Sequence, residues 1–421
     1  MKKDIKYAII ISFDLIRPGE LHQSFAIGSL LAFAKQDKTY GEDFIIHNIS
    51  INAFHIPIRF DKNHFDKYLK VFNFSEIDTV AISAYIWNEP LINPLIRYLR
   101  QIGFRNKIVL GGYQITYGNK DHLVKEYPDC DIFISGYGEL SLIKAINAQK
   151  TTGKQFINEN VDFSQLPSPY LTKELAIPFD QPMVRMETKR GCPYRCTFCA
   201  HRDLTSNKVH KHPLDKVFEE LKLFRSKNVK RVNILDPVFN MGNHYLEVLK
   251  EIDRLQFRGT TFTLQTRFEL IRGIEGEKFL SLAGDTNAHL EFGIQTVIPA
   301  EYKIVNRPNK PDHIARLFKD LNSRGISYEV SVIYGLPNQT ISTFKQSIDF
   351  LRSNGCTNIT AYPLMLLKGT ELYYQKQKWQ MTEEPIGAFD IPVVTSSSSF
   401  NKENWFEMRE IANNLKPNAR I

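Results

Sequence analysis

The chain is short of several residues that would have settled its class at once. Only five of its 421 residues are cysteine, and glycine and proline number 22 and 20. So little Gly and Pro excludes a collagen-like chain, and 43% hydrophobic with 24% charged residues excludes a disordered one. No stretch reaches the roughly 18 uncharged apolar residues of a membrane span. The start, Met1-Lys2-Lys3-Asp4-Ile5-Lys6, leads into no apolar run with a cleavage site. A cytoplasmic protein with no signal peptide and no membrane partner is the expectation. Long basic runs are also missing. Lys and Arg outnumber Asp and Glu by 54 to 46, a net charge of +8, yet never occur more than two together. Scattered charge reads as a solvated surface and argues against a nucleic-acid partner. Neither a GxGxxG fingerprint nor a GxxxxGK[ST] loop is present, so dinucleotide and P-loop readings lose support.

What is there is alternation. A length of 421 residues suggests two or three domains. Over 1–150, strand-like runs at Tyr7–Ser12, Phe44–Ile49, Thr79–Tyr85, Lys107–Gly112 and Asp131–Ser135 alternate with amphipathic segments at 22–35, 62–72, 89–102, 118–126 and 138–149. This order predicts an α/β unit with a five-stranded, Rossmann-like parallel sheet, whose ligand crevice lies beyond the carboxyl ends of the strands. Turns fall there at Ser12-Phe13, Ser83-Ala84-Tyr85, Gly111-Gly112-Tyr113 and Gly136-Tyr137-Gly138-Glu139. Residues 151–182 are polar, carry four prolines and show no periodicity, which reads as a linker. From 183 to 365, strands at Met183–Thr188, Arg231–Asp236, Thr261–Arg267, His289–Thr296, Tyr328–Gly335 and Thr357–Leu364 are separated by helices at 213–226, 243–255, 274–283, 312–323 and 340–353. Six strands and five helices predict a partial (β/α)6 barrel with its site at the strand carboxyl ends. Residues 366–421 form a short C-terminal extension with a helix around 402–415.

The cysteines divide unevenly. An odd count with three inside eight residues is not a disulfide framework. Cys130 and Cys356 read as small buried hydrophobes. Cys192, Cys196 and Cys199 lie in Arg190-Gly191-Cys192-Pro193-Tyr194-Arg195-Cys196-Thr197-Phe198-Cys199, directly after the first barrel strand. Three thiolates suit a [4Fe–4S] cluster with one iron open to an external ligand. Structural zinc, with a fourth ligand from His201, His210 or His212, is the alternative.

This Cys-x3-Cys-x2-Cys motif, with an aromatic before its last cysteine, resembles the signature of the radical S-adenosylmethionine (SAM) superfamily. The resemblance implies that Cys192, Cys196 and Cys199 hold a [4Fe–4S] cluster, whose open iron chelates SAM and whose electron cleaves it to a 5′-deoxyadenosyl radical. It implies SAM contacts from Phe198, from Asp236 in Ile234-Leu235-Asp236-Pro237, and from Gln265 and Arg267. It adds Glu291 and Gln295 of a Glu-x-Gly-x-Gln segment, and the Gly335-Leu336-Pro337 turn against adenine. Helix capping by Asp236 and a plain salt bridge by Arg267 are the alternatives. Asn338-Gln339 stands where the family has Gly-Glu, which puts the capping of the next helix in doubt.

An α/β unit ahead of such a barrel is similar to the cobalamin-binding-domain class of that superfamily. Under that resemblance Ser12, Phe13, Ser83, Ala84, Tyr85, Gly111, Gly112, Tyr113, Gly136, Tyr137, Gly138 and Glu139 contact cobalamin. The Asp-x-His-x-x-Gly cobalt motif is absent, so the lower axial face lacks histidine, and a domain that keeps the fold without cobalamin is the alternative. The implied activity is cobalamin-dependent radical methyl transfer to an unactivated carbon of a peptide or small-molecule natural product. A donor such as flavodoxin or ferredoxin would supply electrons. Radical cyclisation or rearrangement, or RNA modification, are the alternatives.

Overall fold

The computed structural model describes residues 5–57, 59–201 and 208–415; the first four residues, read above for a signal, lie outside them. Two compact units divide the chain. One is Met1–Ile177 with Gly387–Ile391, the other Pro178–Ile386 with Pro392–Ile421.

In the first unit β1 (Lys6–Asp14), β2 (Phe44–Asn52), β3 (Ile77–Ser83), β4 (Lys107–Gly111), β5 (Ile132–Ile134) and β6 (Gln155–Ile157) form one parallel sheet in the order β2-β1-β3-β4-β5-β6. The helices are α1 (Phe25–Ala34), α2 (Lys62–Leu69), α3 (Glu89–Gln101), α4 (Tyr113–Thr116), α5 (Lys120–Glu126) and α6 (Gly138–Asn147). Strand side chains alternate between two cores, as the period of two requires. Ile9, Ile11, Phe13, Val80, Ile82 and Leu110 join Phe65, Leu91, Leu95 and Leu123 on one face. Ala8, Ile10, Ala81 and Val109 join Ile27, Leu31, Leu142 and Ile146 on the other. The strand order reverses between β1 and β3, so the crevice that such sheets offer to ligands opens at Asp14 and Ser83.

The unit differs from the sequence expectation in one respect. A sixth strand, β6, pairs with β5 inside the segment read as linker. The following residues also pack on this unit: Tyr170 lies against Phe25, and the Leu175 side chain fills the space that a side chain at Gly28 would need. Three residues are too few for periodicity to show, and burial of Tyr170 and Leu175 depends on partners far back in the chain.

The second unit begins with β7 (Val184–Met186) and a two-residue hairpin, β8 (Lys189–Arg190) with β9 (His210–Lys211). Then follow α7 (Leu214–Ser226), β10 (Arg231–Ile234), α8 (His244–Leu255), β11 (Thr261–Thr266), α9 (Gly273–Asp285) and β12 (Ala288–Gln295). After them come α10 (Pro299–Ile304), α11 (Pro311–Ser323), β13 (Ser327–Tyr334), α12 (Ile341–Ser353) and β14 (Ile359–Pro363). The parallel sheet order β14-β13-β12-β11-β10-β7 follows the chain strand by strand, the arrangement of a partial (β/α)6 barrel. The tail adds α13 (Glu371–Tyr374), a hairpin of β15 (Thr382–Ile386) and β16 (Ile391–Ser396), and α14 (Lys402–Asn413), which buries Trp405. Among the described residues no helix is long and apolar enough to cross a membrane.

Gly112 shows how tightly the strand ends of the first unit close. Its φ is +97°, and a Cβ there would stand 2.7 Å from the Ala84 carbonyl oxygen. Gly112→Ala is expected to cost about 2–4 kcal/mol through left-handed strain and overpacking, seen as a lower melting midpoint. An unchanged midpoint would show that the turn relaxes freely.

Candidate functional site

The three clustered cysteines sit on an irregular loop after β8, opened by Gly191 at φ +88°. Having no ladder of its own, this loop is shaped by bonds to distant segments. Thr197 N and Oγ1 donate to the carbonyls of Val305 (3.1 Å) and Ile304 (3.2 Å), at the end of α10. Asn306 Nδ2 donates to Arg195 O at 2.8 Å, and Leu372 N to Thr197 O at 2.9 Å. Cys192 and Cys196 are buried and Cys199 is half-buried. Burial pushes the Cys192 thiol up and the Cys199 thiol up to about 11, with the neighbouring cysteines adding to both rises. Among the described residues no three His, Cys, Asp or Glu side chains converge on a single metal ion.

Two guanidiniums reach the middle thiol. Arg267 Nη1 and Arg307 Nη1 each lie 4.0 Å from Cys196 Sγ. Arg267 follows β11; its Nε donates to Glu269 Oε1 at 2.6 Å, its Nη2 binds the same oxygen, and its guanidinium carbon lies 3.6 Å over the Tyr194 ring. Asn240 holds its backbone at both ends, Oδ1 accepting from Arg267 N and Nδ2 donating to Arg267 O. Arg307 escaped the sequence reading because it follows α10, away from any strand end.

Asp236 has 0% exposure and ties the end of β10 to the segment after β7. Its Oδ1 accepts from Thr188 N (2.8 Å) and Lys189 N (3.1 Å), and its Oδ2 from Thr188 Oγ1. Burial pushes its carboxyl up to about 6, partly offset by the nearby Lys189 ammonium, which burial in turn pulls down to about 8.

The Glu-x-Gly-x-Gln segment lies on β12 and includes a register shift between Gly293 and Gln295. Gln295 takes φ +69° and folds back over Gly293, where an added Cβ would meet its Nε2 at 2.6 Å. Glu291 is half-buried and the Gln265 side chain is exposed, while Phe198 is half-buried on the cysteine loop. In the turn after β13, Gly335 N (2.7 Å) and Leu336 N (3.2 Å) both donate to Gln339 Oε1. Those two donors are engaged within the turn, and Gly335, Leu336 and Pro337 are buried. Gln339 Nε2 continues to Glu301 Oε2 at 3.3 Å, which also accepts from Thr296 Oγ1 at 2.6 Å. Helix capping survives the Asn338-Gln339 replacement: Asn338 adopts φ +63°, and Thr340 and Thr343 form a capping box on α12.

In the first unit the expected contacts separate into core and rim. Phe13 is fully buried, edge-to-face with Phe65, and Ala84 is also fully buried. Ser12 is buried too, donating to Asp14 Oδ2 at 2.8 Å. Ser83 Oγ is buried without a partner at the end of β3. Tyr85 stacks on Trp87 with centroids 4.5 Å apart, and Tyr113 packs on Tyr117. Gly111, Gly112, Tyr137 and Gly138 are half-buried, Gly136 is exposed at φ +75°, and Glu139 is buried at the start of α6.

The Asp236 tie has a pH signature. Its carboxyl moves from 3.8 to about 6 on folding, so the fold favours the protonated form. That stabilisation is complete below about pH 4 and is lost as pH rises through about 6. Asp236→Asn is expected to flatten the fall in melting midpoint over this interval, a change on the order of 3 kcal/mol. An identical pH course in the variant would refute the assignment.

Residues 186–351 match the model of the Radical SAM superfamily. An uncharacterized methyltransferase of Pyrococcus horikoshii is 21% identical over 313 residues, 68% of this chain and 66% of its own length. The cobalamin-dependent radical SAM methyltransferase TokK of Streptomyces tokunonensis is 21% identical over 333 residues, 70% of this chain and 48% of its own. The chain thus spans about two thirds or less of the length of these relatives. Among solved structures, TsrM of Kitasatospora setae, a radical SAM methyltransferase held with tryptophan and a SAM analogue, superposes with a TM-score of 0.72. It is 14% identical, with 98% of this chain and 90% of that chain covered. TsrM has also been solved with cobalamin and a [4Fe–4S] cluster bound. Residues 186–351 thus resemble the Radical SAM superfamily in sequence, and the chain has the fold of TsrM.

Proposed function

We propose that the protein is a cobalamin-dependent radical SAM enzyme that methylates an unactivated carbon of a small molecule or peptide. The observation that carries the reading is the cysteine loop itself. Three thiols on one anchored loop stand close enough to perturb one another. Two buried guanidiniums reach the middle sulfur, donors of the kind that tune a thiolate-ligated cluster. This donor set fits a [4Fe–4S] cluster held by Cys192, Cys196 and Cys199. The methyl-transfer activities of TokK and TsrM support the choice of reaction.

When bound, the cluster with SAM supplies one-electron reductive cleavage, and cobalamin supplies a transferable methyl group. The chain's own residues hold and orient. Phe198, Gln265, Glu291 and Gln295 would border SAM, beside the Gly335–Pro337 turn that Gln339 holds in shape. Asp236 and Arg267 act from behind, shaping the loop through Thr188, Lys189 and Tyr194. On the first unit, the unpartnered Ser83 Oγ at the switch point fits a cofactor that brings its own hydrogen-bonding groups. Tyr85, Gly111, Gly112, Tyr113, Gly136, Tyr137 and Gly138 would line the cobalamin site, with Glu139 behind them. A flavodoxin or ferredoxin is the proposed electron donor.

Anaerobic reconstitution with iron, sulfide, cobalamin and SAM tests the reading. The expected result is cluster absorbance, corrin retained through gel filtration, and 5′-deoxyadenosine in the quenched mixture. Cys196→Ala should retain corrin and lose both cluster absorbance and 5′-deoxyadenosine to background. Continued SAM cleavage by that variant would overturn the assignment of the thiols, and loss of corrin from the native protein would overturn the cobalamin reading.

A further inference from the structure

Arg307 is a buried cation with no carboxylate within ion-pairing distance among the described residues, and its position is closely determined. Only 8% of it is exposed. Its backbone N donates to Tyr302 O at 2.9 Å, and Asn309 Nδ2, two residues on, donates to Ile294 O at 2.9 Å. Nε donates to Gly293 O at 2.6 Å, which fixes the plane of the guanidinium and aims Nη1 at Cys196 Sγ, 4.0 Å away. Gly293 is part of this arrangement: a Cβ there would stand 3.7 Å from Arg307 Nη2 and 2.6 Å from Gln295 Nε2. Arg267 reaches the same sulfur, but Glu269 neutralises it. Two guanidiniums thus approach Cys196, and only Arg307 brings a net positive charge.

A cation out of water costs several kcal/mol unless an anion answers it. We infer that the answering anion is the Cys196-ligated cluster, and that Arg307 is a positioning residue whose charge raises the cluster's reduction potential. The inference rests on the cluster assignment proposed above. In the step concerned, one electron passes from a one-electron donor to the cluster and no bond forms or breaks. The cluster gains one negative charge, and a fixed cation at its sulfur favours the reduced form. Arg307 thereby eases the reduction that must precede SAM cleavage.

The test is an anaerobic redox titration of the reconstituted holoprotein, followed by electron paramagnetic resonance, with iron and sulfide assayed on each sample. Arg307→Gln should keep its iron and disfavour the reduced cluster at least tenfold, a potential lower by about 59 mV for one electron. Arg307→Lys keeps the charge and should stay within threefold of the native protein. The double variant R267Q/E269Q removes a cation and an anion together and should also stay within threefold. An Arg307→Gln protein with a full cluster and an unmoved potential overturns the inference. So does an Arg307→Lys or R267Q/E269Q protein whose potential falls tenfold. Should Arg307→Gln fail to hold iron, the Arg307→Lys result decides. Native protein that takes up no iron would instead sink the cluster assignment, and this inference with it.

Discussion

A loop with no secondary structure of its own presents the three clustered cysteines, and bonds from distant segments of the barrel unit hold it. Residues 191–200 contribute no strand or helix ladder, so their backbone groups need partners elsewhere. Thr197 finds them at the end of α10 and Arg195 at Asn306, while Leu372 donates from α13. Without those bonds three thiols spread over seven peptide bonds would sample many arrangements. The short helix α10 is therefore more than a connection between β12 and α11. Its C-terminal carbonyls receive the cysteine loop, and its buried Glu301 receives Thr296 and Gln339, which governs the turn after β13.

Charge is managed in the same region by pairing inside the protein. Glu269 pairs with Arg267, while the buried Asp236 and the nearby Lys189 ammonium are each satisfied by backbone groups. Such pairs add little net stability but are costly to break, so they specify one geometry. Several side chains that stand at strand carboxyl ends, where ligands are expected, are thus engaged in supporting the site. The groups left to face a ligand are fewer and less charged than the strand ends alone suggest.

The first unit follows a different logic. Its crevice comes from topology: strand order reverses between β1 and β3, and the connections leave to opposite sides. The strands themselves are apolar on both faces, so side chains such as Phe13 and Ala84 go to the core even at the rim. What remains for a ligand is backbone made accessible by glycine, a few aromatic surfaces and the unpartnered Ser83 hydroxyl.

The sequence by itself determined the order and type of nearly all the strands and helices of both sheets, and which three cysteines belong together. Those features are local: a period of two or of 3.6, a turn residue, a spacing of three and two. It did not reveal β6, whose three residues are too short to show a period, or α10, a single turn and a half between two stronger signals. Only the tertiary structure decided which side chains meet. Arg307 and Cys196 lie 111 residues apart, and Thr188 and Asp236 lie 48 apart. Whether Asp236 faces a ligand or a neighbouring strand depends on strand pairing and loop closure, and whether Arg267 faces an anion or Glu269 depends on the packing around both. Cysteine spacing can announce a cluster because its ligands are neighbours in sequence. The guanidiniums beside Cys196 are its neighbours only in space.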